Sequence, residues 1–257
     1  MSDAILSVEG VSKTFGGLRA VELARFTVNA GSITALIGPN GAGKTTLFDL
    51  ISGLTKPDQG AIRLQGRRID GLQPHTIAQL GLARTFQLTR VFAGLDVLDN
   101  MLLANPKQPR EHLIGLLARA REGHDAERTA RARALELLQV FGLEDKAHDY
   151  AGNLSGGQRK LLEAARILMT EPKIVLLDEP MAGVNPTLGH RLLNHIETLR
   201  RERGITFLFV EHDMDVVMRR ADRVIVMAQG SVIADGTPDA VRADPRVIDA
   251  YLGGTGA

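Results

Sequence analysis

The chain has 257 residues, with 31 basic and 30 acidic side chains for a formal charge of +1, and it has no cysteine. These values exclude a disulfide framework and any cysteine-ligated metal site, and they provide no global field for nucleic acid, which is not expected as a partner. No apolar run approaches the roughly 20 residues that a spanning helix needs, so any membrane role is expected to be peripheral.

Residues 1 to 11 carry Asp3 and Glu9 and no basic patch ahead of an apolar core, so they do not read as a signal peptide. Ile5, Leu6, Val8 and Val11 predict an opening strand, and Val21 to Val28 a second, with a turn at Phe15-Gly16-Gly17 between them. An aromatic at Phe15 either packs in a core or stacks on an adenine ring. Ile33 to Ile37 is a short apolar strand running straight into Gly38-Pro39-Asn40-Gly41-Ala42-Gly43-Lys44-Thr45-Thr46. This string fits the phosphate-binding P-loop, and it sits in the strand-to-helix context that the motif requires. The glycines let the backbone approach a ligand closely, so that successive N–H groups turn inward around a phosphate. Lys44 adds positive charge, the helix start presents its dipole, and the Thr45 hydroxyl is placed to ligate Mg2+. A dinucleotide fingerprint fits worse, because its third glycine would fall at Thr46.

Leu47, Leu50 and Ile51 give the following helix an apolar stripe, Gly53 ends it, and Ala61 to Ile69 reads as a hairpin. Past Pro74 the pattern turns helical, pauses at Gly81 to Gln87, and then stays poor in strand signals to Gly142, as a helical insertion would. Arg119, Arg121, Arg128, Arg131 and Arg133 cluster within it, but Glu122, Asp125 and Glu127 cancel most of their field, so they read as a solvated helix face. Leu154-Ser155-Gly156-Gly157-Gln158 precedes the helical Arg159 to Met169, with Ser155 as N-cap. Ile174 to Leu177 is a fully apolar strand ending at Asp178-Glu179. Adjacent carboxylates there are costly unless they meet a cation or a catalytic water. A helix over Leu188 to Arg203 and a strand over Ile205 to Val210 lead to Glu211-His212-Asp213. A lone histidine is usually structural or solvated, but His212 ends a strand where open α/β sheets bind ligands. Val224 to Met227 and Val232 to Ala234 form a closing hairpin, and Gly253 to Ala257 a tail.

Taken in order, these elements resemble the ATP-binding cassette subunit of an ABC transporter over nearly the whole chain. The resemblance implies an α/β fold: a P-loop NTPase core with a mixed, mainly parallel sheet and an antiparallel β-subdomain (1–86 and 166–257), plus an inserted helical subdomain with the signature motif (87–165). It implies Phe15 stacking on adenine, residues 38 to 46 as Walker A, and Gln87 as the glutamine joining core to helical subdomain. It further implies Ser155, Gly156, Gly157 and Gln158 in the nucleotide-binding signature, Asp178 and Glu179 closing Walker B, and His212 as the switch histidine. ATP and Mg2+ are the implied ligands, with Thr45, Gln87 and Asp178 on the metal and Lys44, Glu179 and His212 in catalysis. Ser155 and Gly157 would act from a second ATPase subunit, identical or a sister chain.

The expected partners are membrane permeases and, indirectly, an extracytoplasmic binding protein. The expected location is cytoplasmic, on the inner face of the membrane. A narrower likeness, to branched-chain amino acid importer ATPases, rests on Ala83-Arg84-Thr85-Phe86-Gln87, Ala182-Gly183-Val184-Asn185-Pro186, Glu211-His212-Asp213-Met214 and Ala250-Tyr251-Leu252-Gly253. Cassettes for urea, short amides or lipopolysaccharide export look similar, and Asn185 departs from the aspartate of many cassettes. A soluble ABC ATPase would carry two cassettes or a long coiled coil. The signature argues against a P-loop kinase, and a GTPase would need an Asn-Lys-x-Asp motif that the chain lacks.

Overall fold

A computed structural model describes residues 4–85, 91–105 and 120–252, with side chains of the long helix described from 126 onward. The expectations for Phe86 and Gln87, for Arg119 and the side chain of Arg121, and for the tail lie outside these residues. In chain order the elements begin β1 (Ala4–Phe15), β2 (Leu18–Asn29), β3 (Ile33–Ile37), α1 (Lys44–Ile51), β4 (Gln59–Leu64) and β5 (Arg67–Arg68). Next come α2 (Pro74–Gln79), β6 (Leu82–Arg84), α3 (Val97–Leu102), α4 (Ala120–Val140), α5 (Gly156–Leu168) and β7 (Ile174–Asp178). The chain closes with α6 (Pro186–Arg203), β8 (Thr206–Val210), α7 (Met214–Arg220), β9 (Arg223–Ala228), β10 (Ser231–Gly236), α8 (Pro238–Arg242) and α9 (Pro245–Leu252).

Two compact units emerge. The first comprises Met1–Gln87, Pro172–Ala182 and Ile196–Ala257. It holds a four-stranded antiparallel sheet, β2-β1-β4-β5, and a six-stranded sheet ordered β10-β9-β3-β8-β7-β6. In the larger sheet the neighbours from β9 to β6 run parallel, and only β10 is antiparallel. Strands buried on both faces carry unbroken apolar runs, which is why β3, β7 and β8, each buried at every position, read so clearly as Ile-Thr-Ala-Leu-Ile, Ile-Val-Leu-Leu-Asp and Thr-Phe-Leu-Phe-Val. On one face of these strands Leu36, Ile174, Leu176, Leu208 and Val210 pack with Leu47, Phe48 and Ile51 of α1 into one core shared with the smaller sheet. Each such fully buried side chain contributes about 1.5–3 kcal/mol.

Parallel pairing has a direct consequence for function. Leu36 lies opposite Val210, and Val210 opposite Asp178, so the loops that follow β3, β8 and β7 all leave from one edge of the sheet.

The second unit comprises Leu88–Glu171 and Gly183–His195. There Leu98 and Met101 of α3, Ala134, Leu137 and Leu138 of α4, and Leu161, Leu162 and Ala165 of α5 are buried. Asn100, also buried, accepts the Phe92 N–H and donates to the carbonyls of Phe92 and Asp96, which fixes the turn ahead of α3.

Candidate active site

The loop after β3 is shaped by backbone contacts that only glycine tolerates. A Cβ on Gly38 would come within 2.0 Å of the Met227 carbonyl oxygen, and one on Gly43 within 2.2 Å of the Ala20 carbonyl oxygen. Both residues also hold positive φ, at 149° and 97°. Gly43 is the N-cap of α1, so no side chain caps that helix, and its first turn carries no acidic residue. A helix start left in this condition is a ready anion site. Lys44 folds back over the loop and donates to the carbonyls of Gly38 at 2.8 Å and Pro39 at 2.9 Å. Burial pulls its ammonium below the ordinary value, while Glu179 and Asp178 draw it back up. Thr45 stands exposed beside it.

Asp178 closes β7 with a side chain only 2% exposed. Its Oδ2 accepts from Arg84 Nη2 at 3.1 Å, and Arg84 Nη1 donates to Asp49 Oδ1 at 2.6 Å and Ser52 Oγ at 3.0 Å. Asp178 Oδ1 has no hydrogen-bond partner among the described residues. Burial raises its carboxyl above the ordinary value and the Arg84 pairing opposes this. A buried carboxylate with one oxygen paired and the other bare fits a hard cation. Among the described residues no cluster of three His, Cys, Asp or Glu could cage a metal alone.

Glu179 follows with φ 47° and donates its N–H to the Val210 carbonyl at 3.0 Å. A left-handed conformation in a residue with a side chain costs on the order of 1–3 kcal/mol and tends to mark functional sites. Across from it at the end of β8, the His212 side chain is 71% exposed and that of Glu211 0%. Glu211 accepts the N–H groups of Met181 at 2.9 Å and His212 at 3.2 Å.

One sheet edge thus gathers residues 38 to 46, Asp178, Glu179 and His212. Phe15 lies at the turn of the β1–β2 hairpin, 49% exposed, with the Lys13 ammonium 5.4 Å from its ring centroid. Ser155 to Gln158 belong to the other unit. There the Ser155 hydroxyl accepts the Gln158 N–H at 3.2 Å and the Gln158 side chain accepts the Ser155 N–H at 2.9 Å, a reciprocal capping box. Ser155 and Gly156 are exposed, whereas Gly157 is buried, with Leu188 3.0 Å from where its Cβ would be. The Asn185 side chain accepts the Thr187 N–H at the start of α6.

Three residues at this edge escaped sequence reasoning as site members: Arg84, Glu211 and Tyr251. All three stand in the strings that carried the narrower likeness, which was the only signal for them. Tyr251 on α9 has its phenol pushed up by burial, against a hydrogen bond from the backbone of Gly38.

A glycine-shaped loop, a bare buried carboxylate, a second carboxylate beside it and an exposed histidine at one sheet edge make up the candidate site of a nucleotide-binding protein. The chain belongs to the ABC transporter family, whose model matches residues 21–182. The model described as the branched-chain amino acid ATP-binding cassette transporter matches residues 231–257. The chain is 42% identical over 253 residues to the high-affinity branched-chain amino acid transport ATP-binding protein BraF of Pseudomonas aeruginosa, covering 98% of this chain and 99% of that protein. The LivG protein of Escherichia coli K12, which carries the same description, matches with the same identity and coverage. Among solved structures, the ADP conformation of an ATP-binding cassette of an ABC transporter superposes with a TM-score of 0.83 at 36% identity, covering 97% of this chain and 99% of that one. A dimeric bacterial ABC transporter cassette gives a TM-score of 0.75 at 26% identity, covering 91% and 98%.

Proposed function

We propose that this chain is the ATP-binding and ATP-hydrolysing subunit of a membrane importer for branched-chain or other hydrophobic amino acids. It would work as one half of a cassette pair, docked on permeases at the cytoplasmic face of the membrane. The substrate class is supported by the near full-length likeness to BraF and LivG, whose names state branched-chain amino acid transport. The pairing is supported by the exposed Ser155 and Gly156 and by the dimeric cassette among the structural relatives. No helix among the described residues is long and apolar enough to cross a membrane, so attachment would run through the permeases.

The observation that carries the hydrolytic reading is the register Leu36–Val210–Asp178, which delivers the phosphate loop, both carboxylates and His212 to one edge. Lys44 and the loop N–H groups would hold the β- and γ-phosphates. Thr45 and Gln87 would hold Mg2+, and Asp178 would reach the ion through water. When bound, the ion would neutralise the charge that develops on the transferred phosphoryl group. Glu179 would orient and polarise the attacking water. As the water oxygen bonds to the γ-phosphorus, the bond to the β,γ-bridging oxygen breaks and ADP leaves, so catalysis rests on positioning and electrostatics. His212 would contact the γ-phosphate, Phe15 the adenine, and Ser155 and Gly157 the nucleotide of the facing subunit.

Glu179→Gln tests the scheme: ATP binding is retained, turnover falls by on the order of 100-fold or more, and a closed dimer accumulates. Unchanged hydrolysis would remove Glu179 from its role. For the substrate, the cassette is reconstituted with candidate permeases and a candidate binding protein. Leucine or valine uptake is the expected result, and urea or short-amide uptake in its place would reassign the cargo.

A further inference from the structure

Glu211 is a fully buried carboxylate that the hydrolytic scheme leaves without a task. Its side chain has no exposure, and among the described residues no lysine or arginine forms an ion pair with it. Burial raises its carboxyl above the ordinary value, which the Met181 and His212 N–H groups partly offset. A buried charge without a full counter-charge is a net cost, and an apolar side chain would pack the end of β8 more cheaply. Its contacts indicate what that cost secures.

The turn after β7 has only two N–H groups between Glu179 and Met181, because Pro180 has none. The Glu179 N–H goes to the Val210 carbonyl at 3.0 Å and the Met181 N–H to Glu211 Oε1 at 2.9 Å. Both ends of the turn that holds Glu179 in its left-handed conformation are therefore tied to consecutive residues of β8 and its exit. The other oxygen of the same carboxylate accepts the His212 N–H at 3.2 Å and lies 3.8 Å from His212 Nδ1.

We propose that Glu211 is a positioning residue for ATP hydrolysis: by accepting the Met181 and His212 N–H groups on its two oxygens, it fixes the Glu179 turn and the His212 backbone relative to each other. A carboxylate suits this place because both its oxygens accept. A glutamine of the same shape offers one acceptor and turns an NH2 toward the remaining N–H. The inference rests on the roles assigned above to Glu179 and His212.

The test uses the full-length cassette carrying Glu211→Gln, with kcat, KM for ATP, equilibrium ATP affinity and the thermal midpoint measured together. The expected result is a folded protein whose kcat falls about tenfold or more, because small misplacements of catalytic groups are expensive. ATP affinity should stay within about twofold, since the phosphate loop keeps its own contacts. In the Glu179→Gln background, adding Glu211→Gln should cost far less than it does alone, as for residues acting through one group. A kcat within about twofold of wild type in the folded variant overturns the proposal, as does an equal loss in affinity and kcat. Should Glu211→Gln fold poorly, Glu211→Asp, which keeps both acceptors on a shorter arm, is measured by the same split: a lower kcat at unchanged affinity supports the proposal, and an unchanged kcat overturns it. If Glu179→Gln and His212→Ala both keep full turnover, the hydrolytic scheme itself fails. If they lose it while Glu211→Gln does not, only the positioning role falls.

Discussion

Two helices of this protein begin in glycine-rich turns, and they begin in opposite ways. Helix α1 starts at Gly43 in a left-handed conformation with no side chain to cap it. Helix α5 starts at Ser155 with both halves of a capping box closed. The first has no side chain to complete its donors, and under the proposed function the phosphate would take that place. The second satisfies itself and can therefore display Ser155 and Gly156 on the surface without strain. A glycine-rich string before a helix thus says little until the source of the cap is known.

The contrast can be broken most severely at Gly43. Gly43→Ala forces a Cβ toward the Ala20 carbonyl in a conformation that suits glycine, at a strain on the order of 1–3 kcal/mol. Calorimetric titration with ATP should show affinity lost by about 100-fold or more, since the donors are re-aimed. At the other helix the expected effect is smaller and of another kind. Ser155→Ala removes a cap worth about 1 kcal/mol. The thermal midpoint should drop by about 2–4 °C, with ATP binding to the single subunit unchanged. A loss of single-subunit affinity would contradict the division of labour between the two starts.

The mildest effect separates the starts by pH. The Lys44 pKa is lowered from 10.5 by burial, so the native state releases that proton before the unfolded chain does. Stability should therefore rise with pH between the depressed value and 10.5, whereas phosphate affinity, which needs the charge, should weaken over the same window. Lys44→Arg should flatten both curves, because guanidinium stays charged throughout. The α5 capping box contains no titratable group, so the stability cost of Ser155→Ala should be the same at either end of the window.

Much of the fold was legible. The apolar runs that become β3, β7 and β8 stood out because both faces of each strand are buried, and periodicity marked the helices of the second unit. Strand β6 escaped because three residues at a sheet edge form no pattern. Helix α5 begins at Gly156, ahead of the expected Arg159, because the capping box draws two poor helix formers into the first turn. Arg84 was invisible as a partner for Asp178 because 94 residues separate them. At the end of β8 attention went to His212 and not to its neighbour, since nothing in a local string distinguishes an exposed carboxylate from one with no exposure at all. Residues that act directly on a ligand belong to recognisable strings, whereas those that hold them in place depend on long-range packing.

The two hydrogen bonds from Lys44 to the Gly38 and Pro39 carbonyls bear on the timing of nucleotide exchange. Lys44 ties the start of its own helix to the opening of the loop, so part of the entropy of shaping the loop is spent during folding. Under the proposed function, a subunit built this way would take up successive nucleotides without its phosphate loop having to refold.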